Sequence, residues 1–357
     1  MPIFVNVGQL IRILVWNLSF CLVVSLVTTT KTDDYPLGPI TENFKTWLDW
    51  NGYGLYNFSR TDLGKSGSFG GKDYSAQLIV NRPVVLIHGN SDGALTAGPT
   101  NIDGSKNVYG TGWTKTIQYF MQQGYSTAEL YATTWGNRNA TWAYTRTHSC
   151  SVILRLRKFV EAVLQYTKVQ KISVISHSMG VGVARKVIRG GIIEEPDGTS
   201  CDVGESLRDK IEVFIGISGA NYGMCQCGGA YGEGPPIWPT CNAKTGFWPG
   251  AVCSHAGNCW WYHNYCQDTS YSQILQEMNE DPHNEAEHVF AWWCHEDELI
   301  GNHGQVFGRP TSYIPFNNGT KVFPAICSPE VPIECSNHME TKDSTVDFQY
   351  HLISALK

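Results

Sequence analysis

The chain has 357 residues, 42% of them hydrophobic and 12% aromatic, with a formal net charge of −6. That length and apolar content support a packed core, either one large α/β domain with insertions or two domains. The mild acidic excess gives no electrostatic hold on nucleic acid or an anionic membrane, so neither is expected as a partner.

The N-terminus reads as a secretory leader. Arg12 supplies the positive end, Ile13 to Val27 is apolar, and Thr28 to Lys31 turns polar. The apolar run falls short of the about 20 residues that span a bilayer. A signal peptide is therefore expected over residues 1–30, cut near Thr28 to Thr32, with an uncleaved anchor as the alternative. Of the 12 cysteines, Cys21 lies in this leader, and the other 11 favour an oxidising compartment, a disulfide framework and one thiol left over. Asn57-Phe-Ser59, Asn139-Ala-Thr141 and Asn318-Gly-Thr320 are glycosylation candidates of an extracellular protein.

Residues 31–80 form a polar lead-in with aromatic islands, in which Phe44 to Trp50 suits one short helix. Gly64 to Gly71 is glycine-rich but lacks the G-K-[ST] order of a phosphate loop, and it reads as a connector. From residue 81 to 357 strands and helices alternate. Val84 to Ile87 is an apolar strand followed by His88-Gly89-Asn90-Ser91. Thr114 to Gln123 suits a helix ending at Gly124, Thr127 to Thr133 a strand, and Ser151 to Thr167 an amphipathic helix. Lys171 to Ser176 and Ile211 to Ile217 are buried strands, and His288 to Trp293 is the next. Tyr313 to Val322 reads as irregular, and a last helix covers about Thr345 to Leu356. The alternation predicts a mostly parallel, doubly wound sheet.

One turn carries chemistry. Ser178 stands between the strand at Lys171 to Ser176 and helix-forming residues that run through Gly182 to Ile188 towards Gly190-Gly191. This is the G-x-S-x-G pattern of a nucleophile elbow, with Ser176 in place of the first glycine. Small neighbours on each side let strand and helix approach while the serine hydroxyl stands above the sheet. An ordinary tight turn between strand and helix is the bland alternative.

Residues 222–270 differ from their surroundings. They hold Cys225, Cys227, Cys241, Cys253, Cys259 and Cys266, with Trp238, Trp248, Trp260 and Trp261, and show no periodicity. Six cysteines allow 15 pairings. A zinc site using Cys with His255 or His263 is the rival to disulfides, which suit export better. Cys327 and Cys335 bracket a proline-containing loop and could pair with each other.

Val174-Ile-Ser-His-Ser-Met-Gly-Val-Gly-Val-Ala-Arg-Lys186 resembles the nucleophile segment of the class 2 lipase family. These are α/β-hydrolases that include small bacterial secreted lipases and many secreted animal proteins, chiefly of nematodes. Pro83-Val-Val-Leu-Ile-His-Gly-Asn90, Ala128-Glu-Leu-Tyr-Ala-Thr-Thr-Trp-Gly136, Gly216-Ile-Ser-Gly-Ala-Asn-Tyr-Gly223 and Asn337-His338-Met match in the right order. As an ordered set they are far more specific than the elbow alone.

The resemblance implies an α/β-hydrolase fold and a secreted serine esterase or lipase that needs no cofactor and no metal. Its substrates would be lipid esters, acylglycerols first. Ser178 would be the nucleophile, Asp297 the acid on the loop after a late strand, and His338 the base in a loop before the last helix. The N–H groups of Asn90 and Met179 would form the oxyanion hole. Glu296 and Glu298 are rival acids, and His88 is expected to shape its loop. The insertion at 222–270 leaves the strand next after the elbow unit and lacks regular structure, which predicts a disulfide-braced wall or lid against the acyl chain. A small excursion that buries its own tryptophans is the plainer alternative. A monomer with transient contact to lipid surfaces is expected. Short-chain carboxylesterase, phospholipase and a non-catalytic lipid-binding protein remain as other readings.

Overall fold

A computed structural model of the chain describes residues 36–98, 107–227, 238–250, 270–300, 304–327 and 335–356. The expected signal peptide at 1–30 lies outside these residues. So does much of the 222–270 insertion, including Cys253, Cys259, Cys266, Trp260 and Trp261.

The strands in chain order are β1 (Ser68–Phe69), β2 (Val84–Ile87), β3 (Leu130–Thr133), β4 (Ile172–His177), β5 (Ile192–Glu194), β6 (Ser200–Asp202), β7 (Ile211–Ile217), β8 (His288–Cys294), β9 (Gln305–Val306), β10 (Arg309–Pro310) and β11 (Gly319–Phe323). Seven of them form the central sheet in the order β1-β3-β2-β4-β7-β8-β11. All neighbours pair parallel except β1, which runs antiparallel to β3 at the edge. The helices are α1 (Glu42–Trp50), α2 (Thr114–Gln122), α3 (Cys150–Thr167), α4 (Met179–Arg189), α5 (Gln273–Glu280), α6 (Asn337–Asp343) and α7 (Val346–Ala355).

Strand alternation divides the core between two faces. Val85, Val174, Phe214 and Val289 point to one side, where α1, α3, α4 and α5 cover them. Leu86, Ile175, Ile215 and Trp292 point to the other, against Ile117 and Phe120 of α2 and Ile353 of α7. β4 is therefore buried on both faces and between two strands, and its end is a rigid place for a reactive side chain.

Several expectations are corrected. The stretch at Gly64 to Gly71 is no mere connector, because Ser68–Phe69 within it adds the edge strand β1. The lead-in reads as a segment that packs against the main domain, and it does so: Phe44 of α1 lies 4.4 Å from the Tyr166 ring of α3 and 5.4 Å from Tyr131 of β3. Tyr313 to Val322 is not irregular to its end, since Gly319–Phe323 forms β11 beside β8. Thr127–Glu129 is a 3₁₀ turn held by a Ser126/Glu129 capping box, and only Leu130–Thr133 is strand.

Disulfides join Cys150 to Cys201, Cys227 to Cys241 and Cys327 to Cys335, as was open for the last pair. Cys225 is also disulfide-bonded. Cys225, Cys227 and Cys241 are thereby removed as thiolate donors from the zinc alternative, whose other cysteines lie outside the described residues together with His255 and His263. Cys294, at the end of β8, is a buried free thiol. Among the described residues no helix is long and apolar enough to cross a membrane.

Candidate active site

The turn between β4 and α4 holds Ser178 at φ 56°, ψ −134°, a conformation that non-glycine residues avoid. Two bonds fix it: the Ser178 N–H donates to Ile217 O at 2.9 Å, and its carbonyl accepts from Val181 N at 2.9 Å. The need for small neighbours is visible in the space around them. A Cβ on Gly180 would lie 2.4 Å from the His88 carbonyl oxygen, and one on Gly89 would lie 2.6 Å from Ser178 Cβ. The departure at Ser176 is absorbed. Its buried hydroxyl donates to Ile215 O of β7 at 3.3 Å, and Ser178 still reaches the strained conformation.

Asp297 and His338 come together across 41 positions of sequence. His338 Nδ1 donates to Asp297 Oδ2 at 2.7 Å, and both residues are 1% exposed. The other oxygen of Asp297 accepts from Leu299 N at 3.0 Å and Ile300 N at 3.2 Å, which aims the carboxylate. The two rival acids sit elsewhere. Glu296 faces the His295 ring at 3.0 Å. Glu298 accepts from the His338 N–H at 3.3 Å and from the Ser336 hydroxyl, so it grips the backbone that carries the histidine. His338 is not in a loop as expected but in the first turn of α6. That turn is where Glu298 can satisfy an orphan helix N–H. His338 Nε2 is buried and makes no hydrogen bond among the described residues.

His338 lies against the elbow strand. His177 Nε2 donates to the His338 carbonyl at 2.9 Å, and the two rings are 4.7 Å apart. Burial, and then the neighbouring His338, hold His177 well below the usual histidine range, so it stays neutral. At the other end of α6, the wholly buried Lys342 ammonium lies 2.8 Å from Asp343 and 3.7 Å from Asp92. It also donates to Thr111 Oγ1 at 3.0 Å and to Gly112 O. Asp92 belongs to the loop that starts at His88, so one cation ties the histidine-bearing helix to that loop.

His88 shapes this loop. Its Nδ1 donates to Gly89 O at 2.7 Å, its Nε2 accepts from Trp135 N at 3.1 Å, and its ring stacks on Trp135. Burial pushes its pKa down to about 3, which suits a neutral ring with one donor and one acceptor. Gly89 then lies against Ser178 and brings Asn90 beside it. Met179 opens α4, so its N–H belongs to those without an intrahelical acceptor.

Ser178, Asn90 and Met179 open into a mainly apolar cavity of about 430 Å³. Leu299 and Ile300, whose N–H groups hold Asp297, line it. Met224, Phe247, Trp238 and the Cys227–Cys241 pair of the 222–250 stretch form one wall. Sequence reasoning missed the facing wall, Ala140, Ala143 and Tyr144 of the 3₁₀ segment Ala140–Thr145. The exposed Trp142 and Tyr144 pair that marks this segment was the available clue.

The profile of the family described as lipase (class 2) matches residues 81–351. No curated protein sequence matches the chain. Solved structures of similar shape include Aspergillus fumigatus lipase B, at 11% identity and TM-score 0.40 over 76% of this chain and 50% of that one; the chain thus spans half of that protein's length. Bacillus licheniformis lipase BlEst2 in mature form is 10% identical, at TM-score 0.40 over 80% of this chain and 97% of that one. Paleococcus ferrophilus monoacylglycerol lipase is 13% identical, at TM-score 0.37 over 81% and 96%.

Proposed function

The chain belongs to the class 2 lipase family of ester hydrolases, and from that premise we propose that it is a secreted lipid esterase, acting first on acylglycerols through an acyl-enzyme on Ser178. The observation that carries this reading is the strained Ser178 beside an apolar cavity, with a buried His338–Asp297 pair packed against the same strand. Ser178 Oγ attacks the ester carbonyl. His338 Nε2 takes its proton and gives it to the leaving alcohol, and Asp297 keeps the proton on Nδ1 and stabilises the charged ring. Water then repeats the sequence on the acyl-enzyme. The N–H groups of Asn90 and Met179 stabilise the oxyanion by about 3 kcal/mol each. The acyl chain occupies the cavity.

Exposed Trp142, Tyr144 and Trp238 around the cavity mouth suit transient contact with a lipid surface, where an aromatic body is buried and its polar tip stays wet. Disulfides and the apolar leader support export. The exposed side chains of Asn57, Asn139 and Asn318 suit glycan attachment. Labelling with a fluorophosphonate, with Ser178→Ala as its partner, tests the reading. The wild type should label and turn over esters; the variant should do neither while still folding and being secreted. Normal turnover by Ser178→Ala would refute it.

A further inference from the structure

Arg146 follows the segment Ala140–Thr145, and its guanidinium reaches over the start of the candidate oxyanion loop. Nη1 donates to Asn90 Oδ1 at 2.7 Å and to Ser91 Oγ at 2.6 Å. Nη2 donates to Asn139 O at 2.8 Å and to Asn137 Oδ1. The Asn90 amide is gripped from its other side as well, since Nδ2 donates to Ala143 O at 2.9 Å. Every acceptor of Arg146 is a neutral oxygen, and no carboxylate pairs with it among the described residues. Ser91 has φ 62°, in the left-handed region, so the loop needs an external hold to stay in this shape.

We propose that Arg146 is a positioning residue for ester hydrolysis at Ser178: it clamps the Asn90–Ser91 loop and sets its positive charge behind the N–H that receives the oxyanion. This rests on the hydrolase reading above. A planar fork with fixed donors suits the task, because it holds two oxygens of the loop and two of the facing segment at once. A lysine would supply the charge but only a single flexible donor group. The charge favours the transition state over the neutral ester, since only the former carries a full negative oxygen. The clamp therefore acts on kcat and leaves substrate binding nearly unchanged.

The test measures Arg146→Met and Arg146→Lys on a short-chain and a long-chain p-nitrophenyl ester, with active sites titrated by a fluorophosphonate. Arg146→Met should lose about 10- to 100-fold in kcat, below or near the loss for deleting one oxyanion donor outright. KM should change less than about threefold, the loss should be the same for both chain lengths, and full titration should still be reached at long times. Arg146→Lys should recover part of the loss. A kcat within about twofold of wild type, a loss found mainly in KM, or one explained by a smaller titratable fraction would overturn the inference. A wild type that neither labels nor turns over would overturn the hydrolase reading and this inference with it. A fully active wild type beside an unaffected Arg146→Met would remove this inference alone.

Discussion

The strand-end half of the site and the cavity walls are built in opposite ways. Ser178, Asp297 and the Asn90 loop sit at the ends of β4, β8 and β2, each one to three residues past a strand whose last residues are buried. Local bonds position them: Asp297 is aimed by the N–H groups two and three residues on, and Ser178 by the turn it starts. The walls are loop and 3₁₀ turn, joined by a disulfide and by long-range contacts such as His148, whose N–H and Nδ1 both donate to Thr245 O. The groups proposed to react need fixed geometry, and the sheet supplies it. A wall proposed to face the acyl chain needs only shape, which cross-links can maintain.

The largest expected break in this contrast is Asp297→Asn. It should lower kcat by about 10³- to 10⁴-fold with a near-native melting temperature, whereas Glu296→Gln should stay within about twofold. Steady-state kinetics on one soluble ester would decide, and the opposite ranking would reassign the acid. Lys342→Met should cost about 3–5 kcal/mol, because it leaves Asp92 and Asp343 buried beside each other without their cation. Denaturant unfolding measures this, and a loss under about 1 kcal/mol would mean that the carboxylates find other partners. Cys227→Ser with Cys241→Ser opens a loop of 14 residues' separation, worth about 3 kcal/mol on chain-entropy grounds. That change is in the wall, so long-chain kcat/KM should fall more than short-chain kcat/KM.

Acid should weaken the fold through both halves. His88 and His148 are buried, and burial lowers their pKa values to about 3 and about 4. In the unfolded chain each titrates near 6.5, so between that value and the folded one only the unfolded state binds the proton. Stability therefore falls as pH drops below about 6.5, by about 2 kcal/mol per histidine at pH 5. His148→Asn should lose about 2 kcal/mol less than wild type between pH 7 and pH 5, read from denaturant midpoints at each pH. A parallel pH dependence in that variant would exclude His148 as a contributor. The smallest effect belongs to Trp238→Ser at the exposed cavity mouth. Its long-chain kcat/KM should fall by roughly fivefold, about 1 kcal/mol, with short-chain turnover unchanged. Equal losses on both esters would mean that the indole supports the fold.

The same contrast governs what could be read from the sequence. Val84–Ile87 and Ile211–Ile217 emerge with their observed boundaries because runs dominated by β-branched and apolar residues, broken in the second only by Glu212 and Gly216, mark buried strands. The Ser178 turn was legible because its small neighbours answer a backbone clash that any such turn would have. β11 was missed since Gly319–Phe323 is a short edge strand in which only Val322 and Phe323 are apolar and the polar residues do not alternate with them. Helix α6 was missed because it is only seven residues long, too short for periodicity to show. Arg146, Glu298 and Lys342 left no local trace. Asn90, Ser336 and Asp92, which they respectively hold, lie 56, 38 and 250 positions away, and a charged residue with such partners reads as a solvated surface. The Cys150–Cys201 bond was equally silent, since pairing depends on three-dimensional proximity and not on spacing.

That bond has a topological consequence. It closes a covalent ring that contains α3, β4, Ser178, α4 and the β5–β6 hairpin. Closure over 51 positions limits the unfolded chain by about 4 kcal/mol. A protease that cuts within the exposed hairpin turn at Asp197–Thr199 therefore severs the polypeptide without releasing a fragment. Ser178 and its two flanking helices remain tethered to both halves until the disulfide is reduced.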